Sequence, residues 1–159
     1  MALPCPDDIT SSDLRGLTRP ELEELYAAPR DIAVPRGCFA GTHLCWLDDA
    51  GARHRVLRPV VDLMFYRTPF GVDFDAGRWF FVRRGMKVGR FEASIGPSRW
   101  RDTETVRLTY HRSRLPWPIR RILYDEVKPL SGELCLGLGG INADQGRGEF
   151  FFFALQRLP

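Results

Sequence analysis

The spacing of apolar residues changes character once along the chain. Leu22, Leu25 and Tyr26 fall at i, i+3 and i+4, the narrow stripe of a helix that covers another element. Thr18 and Glu21 stand before it at capping-box spacing, Pro20 suits a first turn, and Pro29 stops it, so a helix of about ten residues is predicted. Upstream, residues 1–17 are polar and rich in Pro, Asp and Ser, and read as a loosely held arm.

Beyond Pro29 the pattern is that of strands. Residues 34–47 are small, aromatic and β-branched, with Gly37 and Gly41 permitting a bend or close packing. Asp48-Asp49-Ala50-Gly51 signals a turn, and residues 53–58 read as its return strand. Residues 60–67 fit helical spacing as well as a strand. A strand is predicted over 78–84, a turn over 85–89 and a further strand over 90–95. Residues 105–111 place Val106, Leu108 and Tyr110 on one face and Thr105, Arg107, Thr109 and His111 on the other. Pro116-Trp117-Pro118 interrupts, and strands follow over 122–130, 134–138 and 149–157. These make roughly eight strands at the spacing of an all-β sandwich or barrel.

The last strand decides between those two. Phe150, Phe151, Phe152 and Phe153 are consecutive, so in a strand they alternate faces and both faces must be covered. One pair can face a barrel interior while the other packs beneath the N-terminal helix. A single closed antiparallel β-barrel over residues 18–159, with one short helix across it, meets that demand.

Composition agrees. The chain has 159 residues, 44% hydrophobic and 27% charged, which suits one globular domain. Eleven Phe, four Trp and four Tyr can fill a core or line a cavity. No apolar run approaches the roughly 20 residues of a membrane-spanning helix, so no transmembrane segment is expected. Residues 1–12 lack a basic stretch followed by an apolar one, so no secretory signal is read. Cys5, Cys38, Cys45 and Cys135 then read as reduced thiols of a cytoplasmic protein. The net charge of +3 does not require a polyanionic partner.

Some of the motifs look like those of a known family. Pro35-Arg36-Gly37-Cys38-Phe39-Ala40-Gly41 follows a short helix and resembles the Gly-x-Trp-x-Gly signature of the bacterial GXWXG-type lipocalin-like family of unknown function, with Phe39 where that family has Trp. Tyr124-Asp125-Glu126-Val127, then Gly132, Leu134, Leu136 and Gly137, then Phe151-Phe152-Phe153-Ala154-Leu155, is similar to the ending of those proteins. The resemblance spans the chain from about residue 20 onward and implies a barrel of lipocalin or calycin type that encloses a small apolar ligand. It implies no catalytic residues.

Several constellations have a chemical reading beside a plainer one. His43 and Cys45, two apart, would share a strand face and, with His111 or Cys135, could hold zinc; no Cys-x-x-Cys or His-Glu-x-x-His spacing supports this, and no metal or other cofactor is expected. Gly137-Leu138-Gly139-Gly140 resembles part of a phosphate loop, but Asn142, Asp144, Gly146 and Gly148 follow instead of a helix, so it reads as a long hairpin loop. Arg83, Arg84, Lys87 and Arg90, with Arg120-Arg121 near Trp117, could meet single-stranded nucleic acid. The interspersed Asp73, Asp75, Glu92, Asp102 and Glu104 make a mixed-charge surface the simpler account, and no nucleic acid is expected. Leu115 to Ile119 could form a lid, a membrane-touching loop or a buried edge segment.

The residues best suited to chemistry are Tyr110, His111, Tyr124, Asp125 and Glu126. Asp125 and Glu126 point to opposite strand faces, so one faces inward, where a carboxylate has a raised pKa or takes a partner such as Arg or Tyr. His111 beside it could act as acid or base near neutral pH. The alternative is a structural ion pair with His111 exposed.

The leading functional expectation is reversible binding of a small hydrophobic molecule, of fatty-acid, polyketide-like or isoprenoid type. Phe39, His43, Trp46, Trp79, Phe81, Tyr110, Phe151 and Phe153 would line its cavity. The alternative is a barrel enzyme that cyclises or isomerises an apolar substrate, with His111, Tyr110 and Asp125 or Glu126 as acid and base. A third reading is an interaction module with a filled core and a surface site at Trp117 and Arg120-Arg121. The sequence leaves the oligomeric state open.

Overall fold

The structure is a computed structural model that describes residues 9–47, 69–81, 86–141 and 149–159, with positions 59 and 63. Thr10 and Asp13 form a reciprocal cap at the N-terminus: the Asp13 amide donates to Thr10 Oγ1 at 3.3 Å and the Thr10 amide to Asp13 Oδ2 at 2.8 Å. They start a first helix, α1, Ser11–Gly16. This helix lies within the stretch expected to be an arm, and its Leu14 is wholly buried. The second helix, α2, Arg19–Ala27, is the one anticipated, with the Thr18 amide donating to Glu21 Oε2 at 2.7 Å and Leu22, Leu25 and Tyr26 buried.

Among the described residues nine antiparallel strands follow: β1 Cys38–Trp46, β2 Phe70–Asp73, β3 Arg78–Phe81, β4 Lys87–Arg90, β5 Glu92–Pro97, β6 Glu104–Thr109, β7 Leu123–Pro129, β8 Leu134–Ile141 and β9 Glu149–Arg157. A third short helix, α3, Trp117–Ile122, sits between β6 and β7. The strands form one sheet in the order β4-β3-β2-β1-β9-β8-β7-β6-β5, curled into a nearly closed barrel. Its two edge strands, β4 and β5, are consecutive in sequence and joined by Phe91 alone. The Phe91 amide donates to Gly77 O at 2.8 Å. The chain itself therefore carries the wall across the gap between the edges.

Alternation sorts the side chains of this wall onto two faces. Phe39, Val72, Trp79, Val106, Leu108, Val127, Cys135, Phe151, Phe153 and Leu155 turn into the barrel. Leu134, Leu136, Leu138, Phe150, Phe152 and Ala154 turn outward and are covered by Leu14, Leu22, Leu25 and Tyr26 of the two N-terminal helices. The four consecutive phenylalanines thus divide as expected, two inside and two beneath the helices.

The structure departs from the sequence reading at several points. β2 was not anticipated, because four residues with a central glycine carry little periodic signal. Lys87–Arg90, expected partly as turn, is the edge strand β4. Gly137 to Gly140, expected to open a loop, continue β8 in register with β7 and β9. The turn at Asp48 to Gly51, the strand over 53–58 and most of the ambiguous stretch 60–67 lie outside the described residues, as do residues 142–148, Arg83, Arg84 and Cys5. A register shift between His43 and Cys45 inserts Leu44 as an extra residue, so His43 faces Phe151 within the barrel and Cys45 packs on the helix side. The two do not share a face. Among the described residues no three His, Cys, Asp or Glu side chains converge to hold a metal, and no helix is long and apolar enough to cross a membrane.

Candidate functional site

β6 and β7 are paired only where Val106, Arg107 and Leu108 face Val127, Glu126 and Asp125. Beyond this point the strands part, and a pocket of about 470 Å3 opens where they separate. β6 and the turn after it contribute Arg107, Leu108, Thr109, Tyr110 and His111 to its wall. β7 contributes Leu123, Tyr124 and Asp125. Trp117, Arg120 and Arg121 of α3 and Arg99 of the β5–β6 connection complete it. Leu108, Tyr110 and Asp125 belong to the inner face of the wall, Arg107 and Tyr124 to the outer face, so the pocket runs through the seam.

Asp125 is the inner polar end. Tyr110 donates its hydroxyl to Asp125 Oδ2 and accepts a hydrogen bond from Trp79 Nε1 at 2.6 Å. Burial pushes the Asp125 carboxyl up to about 7, against the opposing effect of the Tyr110 hydrogen bond. Burial, reinforced by the Asp125 charge, drives the Tyr110 phenol well above its ordinary range. The carboxyl lies over Gly139 of β8, where an added Cβ would come within 2.7 Å of Asp125 Oδ1. The glycine is the space the carboxyl occupies.

Glu126, one residue on, belongs to a different site. It accepts from Tyr26 Oη at 2.7 Å, Ser98 Oγ at 2.6 Å and the Arg99 amide at 2.9 Å, wholly buried between the wall and α2. The Tyr26 phenol is raised well above its usual range, first by burial and then by the Glu126 charge. This network joins helix to barrel and meets the pocket wall only at Arg99 and Tyr124.

The rim of the pocket is cationic. Arg120 Nη1 donates to His111 O at 3.0 Å and Ser113 O at 3.3 Å, tying α3 to the end of β6. Its Nε is buried and has no hydrogen-bond partner among the described residues. The Arg121 guanidinium lies 5.4 Å from the centre of the Trp117 ring. Among the described residues Arg107, Arg120 and Arg121 form no ion pair. Trp117 is 62% exposed, which rules out the buried-edge reading of this segment.

The anticipated chemical residues are thus partly assembled. Tyr110, His111 and Asp125 line one pocket, with His111 exposed at its rim, while Glu126 stands outside it. The anticipated ligand-lining residues meet in the barrel interior, ring against ring. Phe39, Trp79, Tyr110, Phe151 and Phe153 are buried there, with Trp46 and Phe81 half-buried against them. Trp79 and Phe153 stand 5.8 Å apart, Phe151 and Phe153 5.9 Å, Trp46 and Phe151 5.4 Å, and His43 and Phe151 5.6 Å between ring centres. Of this group Tyr110 reaches the pocket wall. Arg107 and Arg99 were missed; only the outward face of Arg107, beside the alternating Val106 and Leu108, was visible in the sequence.

Comparison with protein-family models finds no match, and no curated protein matches the sequence significantly. Among solved structures, a protein from Thermomonospora curvata aligns at a TM-score of 0.47 and 16% identity, over 90% of this chain and 89% of that one.

Proposed function

We propose that this barrel reversibly binds a small molecule with an apolar body in the pocket between β6, β7 and α3. The observation that carries the reading is the pocket itself, about 470 Å3, within the range of small-ligand sites. Its wall combines Leu108, Leu123 and the rings of Tyr110, Tyr124 and Trp117 with Thr109, His111, Asp125 and four arginines. The Gly37-to-Gly41 resemblance to lipocalin-like barrels supports the same reading, and a fatty-acid, polyketide-like or isoprenoid ligand fits such a wall. Native mass spectrometry of protein purified from its own host tests it, comparing gentle with denaturing conditions. A co-purifying small molecule released on denaturation is the expected result. Bare protein, together with no shift in thermal unfolding across a set of apolar ligands, overturns it and favours a filled interaction module.

One observation favours an enzyme on the same pocket. Asp125, titrating near neutrality and hydrogen-bonded by Tyr110, can take and return a proton, as isomerisation or cyclisation of an apolar substrate requires. Asp125→Asn separates the two readings: a carrier keeps its ligand and loses nothing else, whereas an enzyme loses turnover while still binding.

A further inference from the structure

We infer that the ligand of this pocket carries an anionic head, a carboxylate or a phosphate monoester, and that Arg107, Arg120 and Arg121 receive it. This deepens the proposed function and rests on it. The pocket wall holds four arginines and a single carboxyl group. That carboxyl, Asp125, is at the inner end and already engaged by Tyr110, so it does not neutralise the rim. Glu126, opposite Arg107 in the strand register, has its oxygens occupied by Tyr26, Ser98 and the Arg99 amide. Three guanidinium groups therefore face one small pocket with no acidic partner among the described residues.

Their surroundings fit oxyanion capture. Arg120 is held by two carbonyls through Nη1, which fixes its plane, and it keeps a buried Nε–H with no acceptor. A buried donor without a partner is costly, and a ligand oxygen would remove that cost. Arg121 is ordered by the Trp117 face. Guanidinium groups pair two N–H donors with two oxygens of a carboxylate or phosphate, which ammonium groups cannot do. Positive charge gathered at the pocket mouth also raises the local concentration of anions. The apolar residues Leu108 and Leu123 lie beside these groups, so the head is expected on an apolar body.

The test is a calorimetric titration of the full chain with octanoate, octyl phosphate, octanol and octylamine. The anionic probes are expected to bind at least about tenfold more tightly than octanol. Which of the two binds better identifies the head. The preference should shrink with added salt. The affinity for the anionic probes should fall to about that for octanol in an Arg107→Gln, Arg121→Gln double variant. Arg120 is left intact because it also holds the loop; thermal unfolding of the double variant confirms that it is folded. Binding of both anionic probes no tighter than octanol, tighter binding of octylamine, or an anion preference that survives the double substitution overturns the inference while the pocket reading stands. Binding of none of the four overturns both.

Discussion

Asp125 and Glu126 are adjacent in the chain, and both are buried, yet they serve opposite sides of one strand. Asp125 lies in the barrel wall's inner face with Tyr110; Glu126 lies on the outer face beneath α2 with Tyr26. Each carboxyl has its own tyrosine, and the two sites do not share a partner.

The inner carboxyl should make stability fall as pH rises. The folded Asp125 titrates at about 7, above its ordinary value of 3.8, so between those limits the folded state holds a proton that the unfolded chain has released. The contribution is complete below the unfolded value and is lost through the folded one, at no more than about 1.4 kcal/mol per pH unit. Asp125→Asn should remove that component of the slope. Urea unfolding at several pH values from about 5 to about 8, for both proteins, reads it directly; parallel slopes would refute the assignment.

The outer carboxyl should report on helix docking. Tyr26→Phe leaves Glu126 buried with one donor fewer and removes no ring packing against Trp100 and Phe152. A loss of about 1–3 kcal/mol is expected in chemical denaturation, because the deleted bond serves a charged acceptor. Pocket binding should change little, since Tyr26 itself is not part of the pocket wall.

Gly137 should not tolerate a methyl group. An added Cβ there would stand 2.1 Å from the Phe153 ring, in the middle of the barrel. Gly137→Ala is expected to cost about 1–3 kcal/mol and to disturb the near-ultraviolet dichroism of the packed rings. Gly132→Ala, with nothing within 4 Å, is the control and should change stability by less than about 0.5 kcal/mol.

Trp117 should matter to the ligand and not to the fold. It is exposed on α3, and its ring orders Arg121 at the pocket mouth. Trp117→Ala is expected to leave thermal unfolding within about 0.5 kcal/mol of the parent and to weaken octanoate binding several-fold in the titration described above. A large loss of stability with unchanged binding would reverse that division.

What the sequence revealed depended on periodicity. The split of Phe150 to Phe153 between two faces, the α2 stripe and the opposed Asp125 and Glu126 all follow from local spacing, and the structure bears them out. The bulge at Leu44 does not show in spacing, and it moved Cys45 off the face of His43. The α1 helix was overlooked although Thr10 and Asp13 stand at capping distance, because its apolar content is little more than Leu14. The pocket was illegible for another reason: it arises where β6 and β7 part, and the arginines that meet there come from three separate stretches of chain.

The strand order has a consequence for how the barrel is made. β1 to β4 form one run of strands paired in chain order and β5 to β9 another, and among the described strands the two runs share hydrogen bonds at one junction, β1 with β9, where Phe39 meets Arg157. Every other pairing is between successive strands and closes a shorter loop; this one must bring together residues more than a hundred positions apart. Its formation is the slow step expected in refolding. Until it forms, β9 presents a free edge bearing four consecutive phenylalanines, a template for pairing with another copy. The same ladder that completes the barrel therefore also hides its most aggregation-prone segment.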